Sequence, residues 1–193
     1  MTHRHLPNLI TNSRLLLALV FFVTLSLGTR ASLNAAFVIF VVAGLTDILD
    51  GYLARHLKAT SSFGRVADPF VDKILVCGAF ILLLANSEVG YVRAWMVLVI
   101  VGRELLVTAV RSFAESQRKV FAANVLGKLK MFLQSLAIAY TIFALANWRE
   151  APWWPKARTV GVALVYVATL ATLASGLIYL FTWRTFYRDA PDA

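Results

Sequence analysis

Residues 47–72 read DILDGYLARHLKATSSFGRVADPFVD and hold four of the ten acidic residues of a 193-residue chain. The chain around them is 60% hydrophobic and only 15% charged, where soluble proteins carry roughly 25% charged residues. Asp47 and Asp50 are three apart, and Asp68 and Asp72 are four apart. Each spacing sets two carboxylates on one helix face. Gly51 and Ala54 extend the first face along i, i+3, i+4, i+7, and Gly64 precedes Asp68 and Asp72 on the second. Pro69 suits the first turn of a helix, where its missing donor costs nothing. Asp68 is therefore expected near a helix N-terminus, with Asp72 one turn inside.

Four converging carboxylates repel one another, and some stay protonated unless cations compensate. Hard oxygen donors suit Mg²⁺ or Mn²⁺, which commonly share their coordination with substrate phosphates. Two such ions roughly 3.5–4 Å apart can clamp a diphosphate for in-line displacement at phosphorus. No His or Cys set accompanies the aspartates, which argues against zinc, and His56 fits a membrane interface. Gly51 and Ala54 leave the wall low for a ligand, and Arg55 is long enough to reach a phosphate oxygen. A lone aspartate at a helix end is ordinarily a cap or solvated. Four of them, with Gly and Ala matched to their faces, point to a metal or phosphate site, because ionisable residues inside membranes are functional by default.

Outward from this stretch, the chain reads as an all-α integral membrane protein. Six apolar segments run over about 9–27, 33–53, 69–85, 92–110, 126–146 and 160–183, each near the ~20 residues that cross a bilayer. Helices rather than a barrel follow from the lack of alternation. The polar start, MTHRHLPNLITNSR, does not match a cleavable signal peptide. Of the nineteen Lys and Arg, fourteen fall on the side that holds both termini and the acidic stretch. Five (Arg30, Arg93, Arg149, Lys156 and Arg158) fall on the other. The positive-inside rule then places both termini and the aspartates in the cytoplasm. A net charge of +9 reflects loops facing anionic lipid rather than nucleic acid. Trp148, Trp153 and Trp154 on the far side read as interfacial anchors. Cys77, the single cysteine, lies in an apolar run and is expected buried and inert.

The acidic stretch resembles the signature of the CDP-alcohol phosphatidyltransferases, D-x2-D-G-x2-A-R-x8-G-x3-D-x3-D. All eight defined positions are present: Asp47, Asp50, Gly51, Ala54, Arg55, Gly64, Asp68 and Asp72. Length and segment number fit the same family over nearly the whole chain, as one membrane domain over 1–193. The resemblance implies a CDP-diacylglycerol donor, and two divalent ions (Mg²⁺ or Mn²⁺) on Asp47, Asp50, Asp68 and Asp72. Asp72 would also be the general base on the acceptor hydroxyl. Asp47, Gly51, Ala54, Arg55, Gly64 and Asp68 would bind the CDP moiety. It further implies a homodimer in the inner membrane of a bacterium, with the active site facing the cytoplasm.

The segment VGRELLVTAVRSFAESQRKVFAANVLGKLKMFLQ (101–134) is similar to the matching region of phosphatidylglycerophosphate synthases, through Arg103, Glu104, Gly127, Lys128, Lys130 and Gln134. The N-terminal PNLITNSR is similar to that group's entry into its first helix. Val110-Arg111-Ser112 and Met131 depart from its pattern. The implied acceptor is glycerol 3-phosphate, whose own phosphate needs cations. Lys73, Arg103, Arg111, Lys128 and Lys130 are the candidates, with Arg103 and Glu104 also readable as a structural pair. Arg118 and Lys119 read as headgroup contacts. Asn8, Thr11 and Arg14 are either cavity-lining or interfacial. Rivals within the family are a cardiolipin synthase using phosphatidylglycerol and transferases to inositol phosphate or serine. An intramembrane prenyltransferase needs a second Asp-rich motif, yet no Asp follows Asp72 before Asp189. A cation channel or transporter would explain the carboxylates but not Gly51, Ala54, Arg55 and Gly64.

Overall fold

The computed structural model describes the backbone of residues 6–57, 62–116 and 125–188, and side chains within 13–46, at 70, and within 73–114 and 126–181. Six helices form it: α1 (Leu6–Leu27), α2 (Arg30–Leu57), α3 (Ser62–Ala85), α4 (Ala94–Ser116), α5 (Val125–Asn147) and α6 (Trp154–Arg188). There is no strand among the described residues. The number and order of helices agree with the six apolar segments.

Turn chemistry explains the tight α1–α2 connection. Gly28 closes α1 at a φ of 67°, a left-handed position that suits glycine. Thr29 then caps α2, its Oγ1 accepting from the Ser32 amide at 3.2 Å. At the far end, Asn147 Nδ2 donates to Asn34 Oδ1 at 2.9 Å and ties α5 to the start of α2. Between α3 and α4, Gly90 takes a φ of 64°. The Tyr91 hydroxyl that follows bonds Thr141 Oγ1 of α5 at 3.0 Å.

Around the bundle the helices contact in the order α1, α2, α5, α6, α4, α3 and back to α1, with α5 also touching α3. Both α1 and α5 therefore bridge α2 and α3. The core is apolar and interlocked: Phe21, Ala36, Phe40, Ala79, Phe80, Met96, Ile100, Ile138, Ile142 and Val165 are all buried. Close approach of α1 and α3 uses Gly78, where an added Cβ would lie 2.5 Å from the Phe22 ring. Gly161 does the same for Tyr91, whose hydroxyl would lie 2.5 Å from an added Cβ.

The outside is as greasy as the inside. Leu16, Val23 and Leu27 on α1, Leu98 and Leu105 on α4, and Leu170 and Phe181 on α6 are exposed. Apolar surface on this scale fits a lipid environment. Two helical stretches, Leu126–Asn147 and Trp154–Phe181, are long and apolar enough to cross a membrane, and Ser13–Leu27, Arg30–Thr46 and Lys73–Ala85 are shorter apolar stretches.

Two expectations change. The third helix begins at Ser62, not at Pro69, so Pro69 occupies a helix interior and Asp68 is not near its N-terminus. The polar run SSFGR looks unlike a membrane segment, and that concealed the first turns. Cys77 is half-buried rather than buried. The acidic pairs consequently lie inside two helices. Asp47 is ten residues before the end of α2, and Asp72 is ten after the start of α3. The offsets for Asp50 and Asp68 are seven and six. At 1.5 Å rise per residue, each pair lies about 9–15 Å into its helix, measured from the 58–61 connection.

Candidate active site

Three helices bring a polar cluster to the same half of the bundle. Glu104 of α4 is buried and forms an ion pair with Lys130 of α5, which is itself 3% exposed. Arg103, the preceding residue, also reaches the Glu104 carboxylate, its Nη1 at 3.4 Å from Oε1. Thr108 Oγ1 donates to the Glu104 carbonyl one turn on, at 2.6 Å. Lone charges in an apolar bundle are costly, so pairing is what allows Glu104 and Lys130 to be buried and Arg103 half-buried.

α6 supplies the other wall. Arg103 Nη2 donates to Ser175 Oγ at 2.7 Å. Eight residues along α4, Arg111 Nη2 donates to Tyr179 OH at 3.1 Å, and its guanidinium lies 5.9 Å from the centroid of the same ring. Arg103 and Arg111, eight residues apart, share one face of α4, and both contact α6. Gln134, one turn beyond Lys130, donates to Thr172 Oγ1 at 2.8 Å and extends the polar seam between α5 and α6. Counting Arg103 and Lys130 against Glu104, the buried cluster carries one excess positive charge.

The other predicted residues distribute as follows. Lys128 is exposed while Lys130 is buried, because residues two apart on a helix do not face each other. Lys73 is half-buried on α3. Asp47, Asp50, Gly51, Ala54 and Arg55 lie on α2, and Gly64, Asp68 and Asp72 on α3. Their side chains are outside the described residues, as are those of Asn8, Thr11, His56, Arg118 and Lys119. Arg14 of α1 is buried, which disfavours a purely interfacial place for it.

Sequence reading missed Ser175, Gly176 and Tyr179. A signal was present: Thr169, Thr172, Ser175, Gly176 and Tyr179 recur at helical spacing in an otherwise apolar segment. Such a stripe marks a face turned to protein rather than lipid, but does not say what it meets.

Comparison with known proteins identifies the family. The profile of the CDP-alcohol phosphatidyltransferase family matches residues 4–187. A CDP-diacylglycerol--glycerol-3-phosphate 3-phosphatidyltransferase of Bacillus subtilis (strain 168) is 36% identical over 147 residues, covering 70% of this chain and 75% of the relative. Proteins of the same name from Shigella flexneri serotype 5b (strain 8401) and Rickettsia typhi (strain ATCC VR-144 / Wilmington) are 34% and 29% identical. They cover 96% and 95% of this chain, and 98% and 99% of their own lengths. With the eight motif positions on α2 and α3 and the match running nearly end to end, the chain belongs to the CDP-alcohol phosphatidyltransferase family.

Proposed function

We propose that the protein transfers the phosphatidyl group of CDP-diacylglycerol to a hydroxyl of glycerol 3-phosphate, releasing CMP. The observation that carries this reading is the pairing of two features in one bundle. The full aspartate motif lies at matched depths in α2 and α3, and a cation-rich cluster is built by α4, α5 and α6. The names of the relatives support the same donor and acceptor.

The donor set fits divalent metal. Asp47, Asp50, Asp68 and Asp72 offer only carboxylate oxygens, and the family is metal-dependent. These four residues would hold two Mg²⁺ or Mn²⁺ ions, which when bound neutralise the diphosphate and the departing CMP. Asp72 takes the proton from the acceptor hydroxyl as that oxygen forms its bond to the phosphorus bearing diacylglycerol. The bond from that phosphorus to the CMP oxygen breaks, and CMP leaves with the electron pair. Asp47, Gly51, Ala54, Arg55, Gly64 and Asp68 bind the CDP moiety. Arg103, Arg111, Lys128, Lys130 and Lys73 supply positive charge for the acceptor's phosphate, with Arg103 and Arg111 as its direct ligands and Lys130 acting through Glu104.

All six helices span the inner membrane of a bacterium, with both termini and the aspartates on the cytoplasmic side, and two copies form a homodimer. Purified protein with CDP-diacylglycerol, Mg²⁺ or Mn²⁺, and glycerol 3-phosphate should release CMP. An acceptor screen decides the specificity. Turnover only with phosphatidylglycerol, inositol phosphate or serine would overturn the assigned acceptor and leave the reaction class standing.

A further inference from the structure

We infer that α6 positions the two arginines of the acceptor site: Ser175, Gly176 and Tyr179 form a cradle that fixes the Arg103 and Arg111 guanidinium groups for the acceptor's phosphate. This rests on the reading of Arg103 and Arg111 as phosphate ligands given above.

Three contacts build the cradle. Ser175 Oγ accepts from Arg103 at 2.7 Å. Gly176 makes room for the same side chain, since a Cβ there would stand 3.0 Å from Arg103 Cγ. Tyr179 holds Arg111 twice, by its hydroxyl at 3.1 Å and by its ring face. Ser175 and Tyr179 are four apart and so share one face of α6. Both are buried, at 2% and 7% exposure.

The chemistry of these partners matters. A carboxylate would fix a guanidinium and cancel its charge. Neutral hydroxyls fix it and leave the charge available to an anion: Arg111 is held by Tyr179 in this way, and Arg103 by Ser175, while the Glu104 carboxylate that Arg103 also touches is shared with Lys130 and leaves the cluster one positive charge in excess. Arg103 also keeps a donor in reserve: its side chain is 9% exposed, and its Nε is a buried donor without an acceptor among the described residues. A guanidinium presents five N–H donors, so one bond from Nη1 and one from Nη2 leave three uncommitted. Fixing the side chains beforehand removes rotamer freedom that phosphate binding would otherwise have to remove.

Ser175 and Tyr179 are therefore positioning residues, and they act on acceptor affinity. The test is steady-state CMP release by the purified full-length protein, with glycerol 3-phosphate and CDP-diacylglycerol varied in turn. Tyr179→Phe and Ser175→Ala should each raise KM for glycerol 3-phosphate about five- to tenfold, the size of one ordinary net hydrogen bond, because the lost contact acts on the phosphate only through the arginine. kcat and KM for CDP-diacylglycerol should stay within about twofold, because a uniform binding term moves KM alone. Arg111→Ala should raise the same KM further, and the Arg111→Ala/Tyr179→Phe double variant should be no worse than Arg111→Ala. If Arg111→Ala leaves that KM unchanged, the phosphate assignment itself falls, and this inference with it. If Arg111→Ala raises it while Tyr179→Phe and Ser175→Ala do not, only the role of α6 is overturned. A fall in kcat with both KM values shifting together would mark a merely structural role and overturn the inference as well.

Discussion

Glu104 on α4 and Lys130 on α5 form a buried ion pair, and Arg103 joins it from the adjacent position. Removing the carboxylate alone would leave two cations unbalanced in an apolar bundle. Glu104→Ala should lower stability by about 3–5 kcal/mol, the usual cost of breaking a buried pair. Replacing both residues together, as Glu104→Met/Lys130→Met, should recover most of that loss while leaving the enzyme impaired. Thermal unfolding in detergent, paired with CMP release, separates the two effects.

Asp72 is assigned the proton transfer. Asp72→Asn keeps the shape and removes the base, so kcat should fall by roughly 10²- to 10⁴-fold. Binding of CDP-diacylglycerol should remain measurable by equilibrium titration. Loss of all nucleotide-lipid binding, together with altered ion flux, would instead favour the channel reading. Chelation of divalent ions should stop turnover in the parent protein, and added Mg²⁺ or Mn²⁺ should restore it.

Gly161 on α6 is pressed by the Tyr91 ring, which is buried and tied to Thr141. Gly161→Ala leaves no room for that ring in its present place. Overpacking of this kind costs about 1–3 kcal/mol. The melting temperature should drop, and a Gly161→Ala/Tyr91→Phe double variant, which relieves the hydroxyl contact, should recover part of it.

Tyr91 lies in the connection between α3 and α4, and burial pushes its phenol above the ordinary value, partly opposed by the bond to Thr141. Below the ordinary value of about 10, folded and unfolded chains both keep the proton, so this group adds no pH dependence. Above it the unfolded chain ionises first. Stability then falls with rising pH until the folded phenol also ionises. Tyr91→Phe should flatten the alkaline limb of stability against pH relative to the parent, as read by unfolding at pH 9–12 in about one-unit steps.

Orientation is open to direct labelling. In a variant with Cys77 replaced by Ala, a cysteine at Ser87 should react with an impermeant thiol reagent from outside spheroplasts. One at Ser116 should react only after permeabilisation. The opposite pattern would invert the topology expected from the positive charges.

Much of this molecule can be read in one dimension because its signals are local. Six helices follow from six apolar runs, and the acidic motif from fixed spacing. What misleads is local too: Pro69 suggests a helix start, yet α3 reaches back to Ser62 through polar residues, because a helix leaving an apolar layer need not stop at its edge. The pairing of Arg103 with Ser175 spans 72 positions. Spacing within a helix can show that a face is polar, but which face of another helix it meets is set by the packing of the bundle. Lys128 and Lys130 make the same point. They look equivalent as a Gly-Lys-x-Lys run, and the turn of the helix exposes one and buries the other.

The α4–α5 ion pair also has a consequence for how the chain enters the bilayer. Arg103 and Glu104 lie near the middle of α4, where one charged residue costs about 2.5–3.5 kcal/mol to insert alone. α5 and α6 carry stretches long and apolar enough to cross a membrane, whereas α4 carries Arg103, Glu104 and Arg111 within its apolar run. Stable integration of α4 should therefore wait for Lys130 and Ser175 to arrive from helices made after it. A chain stopped at residue 124 should leave α4 open to protease, whereas one that runs through α6 should protect it. Lasting protection of α4 in the shorter chain would refute this order of assembly.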